Sequence, residues 1–97
     1  MPLLGDDVLN AALQTLPQWR REKTRLTRTL KTAAFMDAVD LIRRVALTAE
    51  AQDHHPDIHL AFTALTLSLW SHDAGGITQK DVDLATALDP ILDAAAS

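Results

Sequence analysis

The apolar period of this chain switches between helical and strand spacing four times, and that alternation limits the folds it can adopt. In "GDDVLNAALQTLPQW", Val8, Leu9, Ala12, Leu13 and Leu16 recur at helical spacing behind acidic residues suited to a helix N-terminus. Pro17 stops the pattern, so the spacing predicts a short helix over residues 6–15. "RLTRTLK" then alternates with period two: Leu26, Arg28 and Leu30 against Thr27, Thr29 and Lys31. Such threonine-rich alternation suits a half-exposed strand, with a shorter strand before it around Trp19 and a turn near Glu22–Lys23. Helical spacing returns in "AAFMDAVDLIRRVALTAEAQD", where Phe35, Val39, Ile42, Ala46 and Ala49 mark an expected buried face over residues 33–52. Asp37, Asp40, Arg43 and Arg44 mark the opposite face. Two strands are expected next. One carries Ile58, Leu60 and Phe62, the other Leu65, Leu67 and Leu69, with a weakly signalled turn near Thr63–Ala64. After Gly75–Gly76, Thr78-x-x-Asp81 resembles a capping box for a last helix carrying Val82, Ala85 and Leu88. Pro90 either kinks that helix or caps and restarts its final turn. The order is α-β-β-α-β-β-α, which predicts an α+β fold with a four-stranded antiparallel sheet covered on one face by three helices.

At 97 residues, with no linker or low-complexity stretch, the chain reads as a single domain over 1–97. A core this small makes self-association a natural way to gain burial. A net charge of −4 argues against direct nucleic-acid binding, which needs a cationic face. The absence of cysteine excludes a disulfide framework and thiolate zinc sites, and suits the cytoplasm. No stretch reads as a signal peptide or a membrane span.

All four histidines fall between His54 and His72, and "EAQDHHPDI" holds two of them beside Glu50, Asp53 and Asp57. A metal site is one reading, but adjacent His54 and His55 would point apart and the H-E-x-x-H spacing is absent. Nucleophilic catalysis lacks both a cysteine and a G-x-S-x-G elbow, and Ser71–His72 is merely a dipeptide. Proton transfer fits better: imidazole exchanges protons near neutral pH, and Glu50, Asp53 and Asp81 could orient the rings. Each residue also has a plainer explanation. Loop histidines are commonly just solvated, Asp81 suits the third position of a helix, and Glu50 suits a helix end. Trp19 and Trp70 are more often packing residues than substrate platforms. Spacing alone leaves these alternatives open.

The joint spacing resembles the pterin-4a-carbinolamine dehydratase family. Glu50-x-x-x-His54-His55-Pro56 matches its signature, Phe62 fills an aromatic position, His72 follows ten residues later, and Asp81 nine beyond that. "SHDAGGITQKDV" and "RRVALTAEAQDHHPD" are similar too, and Leu16–Trp19 more weakly, so the resemblance covers nearly the whole chain.

The resemblance implies a four-stranded sheet with three helices on one face, assembled as homodimers or as tetramers of two dimers. It implies a hydro-lyase, a 4a-hydroxytetrahydrobiopterin dehydratase, that returns 4a-hydroxytetrahydropterin to quinonoid dihydropterin in tetrahydropterin recycling. It implies no metal or redox cofactor. By the same resemblance His54, His55 and His72 are the catalytic set, Glu50 and Asp81 supporting acidic residues, and Asp53 a pterin-contacting or ring-orienting group. There are departures. Members often carry Trp where this chain has Ile58, Trp70 is larger than the small polar residue of animal members, and His59 lies outside the signature. Some animal members also act as dimerisation cofactors for a transcription factor, so a non-catalytic co-regulator module is the alternative.

Overall fold

The computed structural model describes residues 2–96. Its elements are α1 (Asp6–Leu13), β1 (Arg20–Glu22), β2 (Arg25–Lys31), α2 (Phe35–Gln52), β3 (Asp57–Ala61), β4 (Ala64–Leu69) and α3 (Gln79–Ala95). The strands form one antiparallel sheet in the order β1-β2-β4-β3, so the fold is the α+β arrangement that the changes of period predict. The two hairpins meet at β2 and β4, where Leu26 faces Leu69 and Leu30 faces Leu65. Leu26, Leu30, Leu65, Leu67 and Leu69 are buried on one sheet face, against Leu9, Leu41, Val45, Leu84, Leu88 and Leu92 from the helices. Alternation sends Thr27, Thr29, Thr66 and Ser68 to the other face, where Thr29 and Thr66 share a hydrogen bond at 3.0 Å.

Several boundaries differ from the expectation. α1 ends at Leu13, because Gln14 and Thr15 already bond back three residues, to Ala11 and Ala12, in a tightening turn. β1 starts at Arg20, after the buried Trp19, and the first turn falls at Lys23–Thr24, with Lys23 left-handed at φ 58°. α2 starts at Phe35, where Thr32 Oγ1 donates to the Ala34 carbonyl. Phe62 is not a strand residue: it occupies the Phe62–Thr63 turn with φ 52° and is 75% exposed. The period-two pattern simply runs one step past the end of β3.

The buried face of α2 is also rotated from the expected one. Ala38, Leu41, Val45 and Ala49 are buried, whereas Phe35 and Val39 are exposed. At about 100° per residue, the two stripes lie roughly a quarter turn apart. The apolar arc of α2 is wider than the core can cover, so one half packs inward and the other faces out.

α3 opens with the expected capping box: Thr78 Oγ1 accepts from the Lys80 N–H, and the Asp81 carboxylate accepts from the Thr78 N–H. Asp89–Pro90 does not cap and restart a turn: α3 runs through Pro90 without interruption to Ala95. Pro90 deprives the Thr86 carbonyl of its usual donor, but both residues lie at the surface, where water can serve it. Packing spans the proline, with Leu88 and Leu92 buried on either side. The buried Arg28 also grips the helix there, donating to Asp89 and Asp93 at 2.7 Å each. Trp19 Nε1 donates to the same Asp89 at 2.6 Å. Among the described residues, no helix is long and apolar enough to cross a membrane.

Candidate active site

Strand pairing explains why the histidines meet. β3 and β4 are antiparallel, with Asp57 opposite Ser68, so the start of β3 and the end of β4 share one end of the sheet. His54 and His55 lie just before β3, and His72 lies just after β4. All three line one cleft of ≈ 370 Å³, together with Asp53, Trp70 and Asp73. That volume falls within the range of small-molecule sites. A hollow of ≈ 450 Å³ beside Asp89 and Pro90, and another of ≈ 310 Å³ beside Asp37 and Asp40, contain no histidine. Chemistry, not size, singles out the histidine cleft.

Local structure sets each ring. α2 ends with Asp53 in the left-handed conformation at φ 49°. Its N–H bonds the Glu50 carbonyl, and the His54 N–H bonds the Ala49 carbonyl. This is a Schellman-type ending with aspartate where glycine is usual. It turns the chain sharply, and Pro56 prevents renewed helix, so His54 and His55 leave in different directions.

His54 turns inward. Its Nε2 lies 2.5 Å from Asp81 Oδ1, and the Asp81 side chain is fully buried. The other carboxylate oxygen, Oδ2, accepts from the Thr78 N–H at 2.9 Å and from Ser71 Oγ at 3.0 Å. Ser71 has only one hydroxyl proton, so Thr78 Oγ1 must donate in the 2.8 Å bond between the two hydroxyls. The helix cap and the histidine thus share one carboxylate, and Asp81 has both its plain structural role and a place at the cleft. His55 turns outward and pairs through Nε2 with Glu50, with both side chains largely exposed.

His72 sits in the loop between β4 and α3. Ser71 anchors that loop through its N–H to the Gly76 carbonyl at 2.8 Å, and its own carbonyl accepts from Gly75 at 2.9 Å. Gly75 has φ 76°, which lets the loop close tightly. The His72 ring stacks on Trp70, with centroids 4.0 Å apart and planes 27° from parallel.

Every expected site residue therefore lies at or behind this cleft: His54, His55, His72 and Asp53 line it, while Glu50 and Asp81 hold two of its rings. Two residues named in the sequence patterns do not. Phe62 is at the far turn of the β3–β4 hairpin, and His59 points from β3 opposite Thr66. Sequence reasoning missed Ser71 as a further partner of Asp81 and the stack of Trp70 on His72, whereas the Thr78–Asp81 bond is the one the capping box predicts. The signal for Ser71 was present: in an extended segment, the residue between Trp70 and His72 must face the other way, toward α3. Among the described residues, no cluster of three or more His, Cys, Asp or Glu side chains is placed to hold one metal ion.

Imidazoles and carboxylates gathered at one cleft are groups of the kind that give and take protons. Comparison with known proteins places the arrangement. The family model described as pterin 4 alpha carbinolamine dehydratase matches residues 2–91. A protein of Mycobacterium sp. (strain KMS), described as a pterin-4-alpha-carbinolamine dehydratase, is 46% identical over 93 residues, covering 96% of this chain and 99% of that one. The crystal structure of a transcriptional coactivator/pterin dehydratase from Brucella melitensis superposes with a TM-score of 0.86 at 30% identity, covering 92% and 97% of the two chains. A pterin dehydratase-like RuBisCO assembly factor of the alpha-carboxysome shares the fold, with a TM-score of 0.63 at 17% identity over 76% and 88% of the chains. The matched residues take in both ends of the histidine cleft, and the chain belongs to the pterin 4 alpha carbinolamine dehydratase family.

Proposed function

We propose that this protein dehydrates 4a-hydroxytetrahydropterin to quinonoid dihydropterin, in tetrahydropterin recycling in the cytoplasm. The observation that carries the reading is the convergence of His54, His55 and His72 on one cleft, two of them backed by carboxylates. Dehydration needs two proton movements. A general acid protonates the C4a hydroxyl, the C4a–O bond breaks and water leaves. A general base takes the N5 proton, and the nitrogen's electron pair forms the new double bond to C4a. Three imidazoles around a small cleft can divide these duties, because imidazole is a common general acid and general base. Asp81 orients His54, and Glu50 orients His55. Asp53 lines the cleft, which supports a contact with the polar edge of the pterin. The decisive assay follows ultraviolet absorbance during dehydration of freshly generated 4a-hydroxytetrahydropterin by wild type, His55→Ala and His72→Ala, each checked for folding. A wild-type rate well above the spontaneous one, and sharply lower in the folded variants, supports the reading. A folded wild type no faster than buffer overturns it.

The exposed half of α2 favours a second property, assembly. Phe35, Met36, Val39 and Leu47 are 46%, 59%, 36% and 60% exposed on one helix. A face of that kind suits contact with a second copy of the chain, as a homodimer or homotetramer. The same face is what a co-regulator role would use. The Brucella relative's description as a coactivator as well as a dehydratase makes that role the alternative to catalysis.

A further inference from the structure

Two of the three cleft histidines are held by carboxylates, and the third is not. Among the described residues, the His72 imidazole has no hydrogen-bond partner, and its ring stacks on Trp70. We infer that Trp70 is a positioning residue for His72, doing by ring stacking what Asp81 does for His54 and Glu50 for His55. This inference rests on the dehydratase reading above.

The backbone makes the stack possible. Residues 70–72 follow the end of β4, and alternation puts Trp70 and His72 on one side and Ser71 on the other. Ser71 is 2% exposed and is pinned inside by Thr78 and Asp81. Its anchoring fixes where His72 begins, but leaves the imidazole free to turn about its own side-chain bonds. The indole face removes that freedom.

Trp70 is itself held. Its Nε1–H donates to Asp57 Oδ2 at 3.1 Å, from the first residue of β3. Arg25, the first residue of β2, places its guanidinium 5.1 Å from the indole centroid and 3.7 Å from the same Asp57 oxygen. Three strands thus contribute to the clamp: Arg25 from β2, Asp57 from β3, and Trp70 just past β4. Core packing does not explain this tryptophan. Trp19 is buried, whereas Trp70 is only partly buried and stands apart from the hydrophobic core. A large ring kept at the mouth of a cleft, with both its N–H and its π-face engaged, is placed for its neighbour.

The test combines a spectroscopic readout with kinetics. Histidine side-chain NMR of wild type, without substrate, should show the His72 ring protons moved upfield by the indole ring current. Trp70→Leu should return them to ordinary positions while the backbone spectrum stays native. In the dehydration assay kcat should then fall about tenfold or more, with KM changed less than about twofold, because a misdirected proton donor or acceptor slows the step more than binding. Trp70→Phe keeps an aromatic face and should recover most of both signals, which a merely structural role would not predict. An unshifted His72 in wild type, or a folded Trp70→Leu with wild-type kcat, would overturn the inference. A wild type no faster than buffer would overturn the dehydratase reading, and the catalytic role of Trp70 with it. The ring-current comparison would still report the stack, so the two failures are distinguishable.

Discussion

His54 Nε2 and Asp81 Oδ1 stand 2.5 Å apart, and the same carboxylate caps α3 through its second oxygen. One buried group therefore joins the end of α2, the start of α3 and the loop carrying His72. Its removal should register both in stability and in rate.

Asp81→Ala should lower unfolding free energy by about 1–3 kcal/mol, because it loses a helix cap and strands the Ser71 hydroxyl and Thr78 N–H in a buried site. Asp81→Asn keeps one carbonyl acceptor and should lose less stability. Both should lower the dehydration rate by at least about tenfold, since neither gives His54 an anionic partner. Urea unfolding beside the ultraviolet assay separates the two effects. Equal activity of Asp81→Asn and wild type would show that the carboxylate serves the helix alone.

Arg28 makes a second prediction, remote from the cleft. Its side chain is 4% exposed and shares out its charge between Asp89, 17% exposed, and Asp93, 61% exposed. The bond to Asp93 is largely open to solvent and counts for little. Among the described residues, Arg28→Ala leaves Asp89 with Trp19 as its one side-chain donor, and it opens space under α3, so it should cost roughly 3–5 kcal/mol. Arg28→Met fills more of that space and should cost less. Chemical denaturation of both variants is the check, and an Arg28→Ala within 1 kcal/mol of wild type would remove the buried pair as a staple of α3 (about the scale of an exposed pair).

Much of the fold was legible because period two and period 3.6 report which side chains share a face, whatever the tertiary context. What periodicity cannot report is which part of a wide apolar arc the core will take. That is why Phe35 and Val39 were expected inside α2, where Ala38, Leu41 and Val45 are buried instead. Phe62 was misplaced for a related reason. No glycine or asparagine marks its turn, and the alternation of Ile58 and Leu60 carries on to it. The site divides the same way. His54, His55 and His72 could be singled out by type and spacing, but their meeting depends on the register of β3 against β4. The shared hydrogen bonds of Asp81 and the stack of Trp70 depend on a loop conformation that no period encodes.

Asp53 lets backbone strain be separated from chemistry. A non-glycine residue in the left-handed region costs roughly 1–2 kcal/mol, partly offset for aspartate by local hydrogen bonding. Asp53→Gly removes that cost but adds the chain entropy of glycine, about 0.5–1 kcal/mol, so it should leave stability unchanged or raise it by up to about 1 kcal/mol. Asp53→Ala keeps the strain and should be less stable than Asp53→Gly. If the carboxylate meets the pterin, both variants should raise KM by a similar factor despite their different stabilities. Thermal unfolding and Michaelis–Menten curves for the pair decide it. A KM rise confined to Asp53→Ala would trace the effect to the helix end, not to the carboxylate.

The outward half of α2 makes the last prediction. Phe35, Met36 and Val39 cluster in its first turns, and Leu47 lies three turns further along. None of them lines the histidine cleft. A polar group placed on a buried subunit contact loses its water without gaining a partner, whereas on a free surface it costs almost nothing. Phe35→Ser combined with Val39→Ser should therefore reduce the mass measured by light scattering from that of an oligomer toward that of one chain. The monomer should keep its far-ultraviolet dichroism, because the inward face of α2 is untouched. If wild type is already monomeric, the exposed stripe is not a contact between copies. If the double variant stays oligomeric, the subunits meet through another surface, and the unpaired edge of β3 becomes the place to examine.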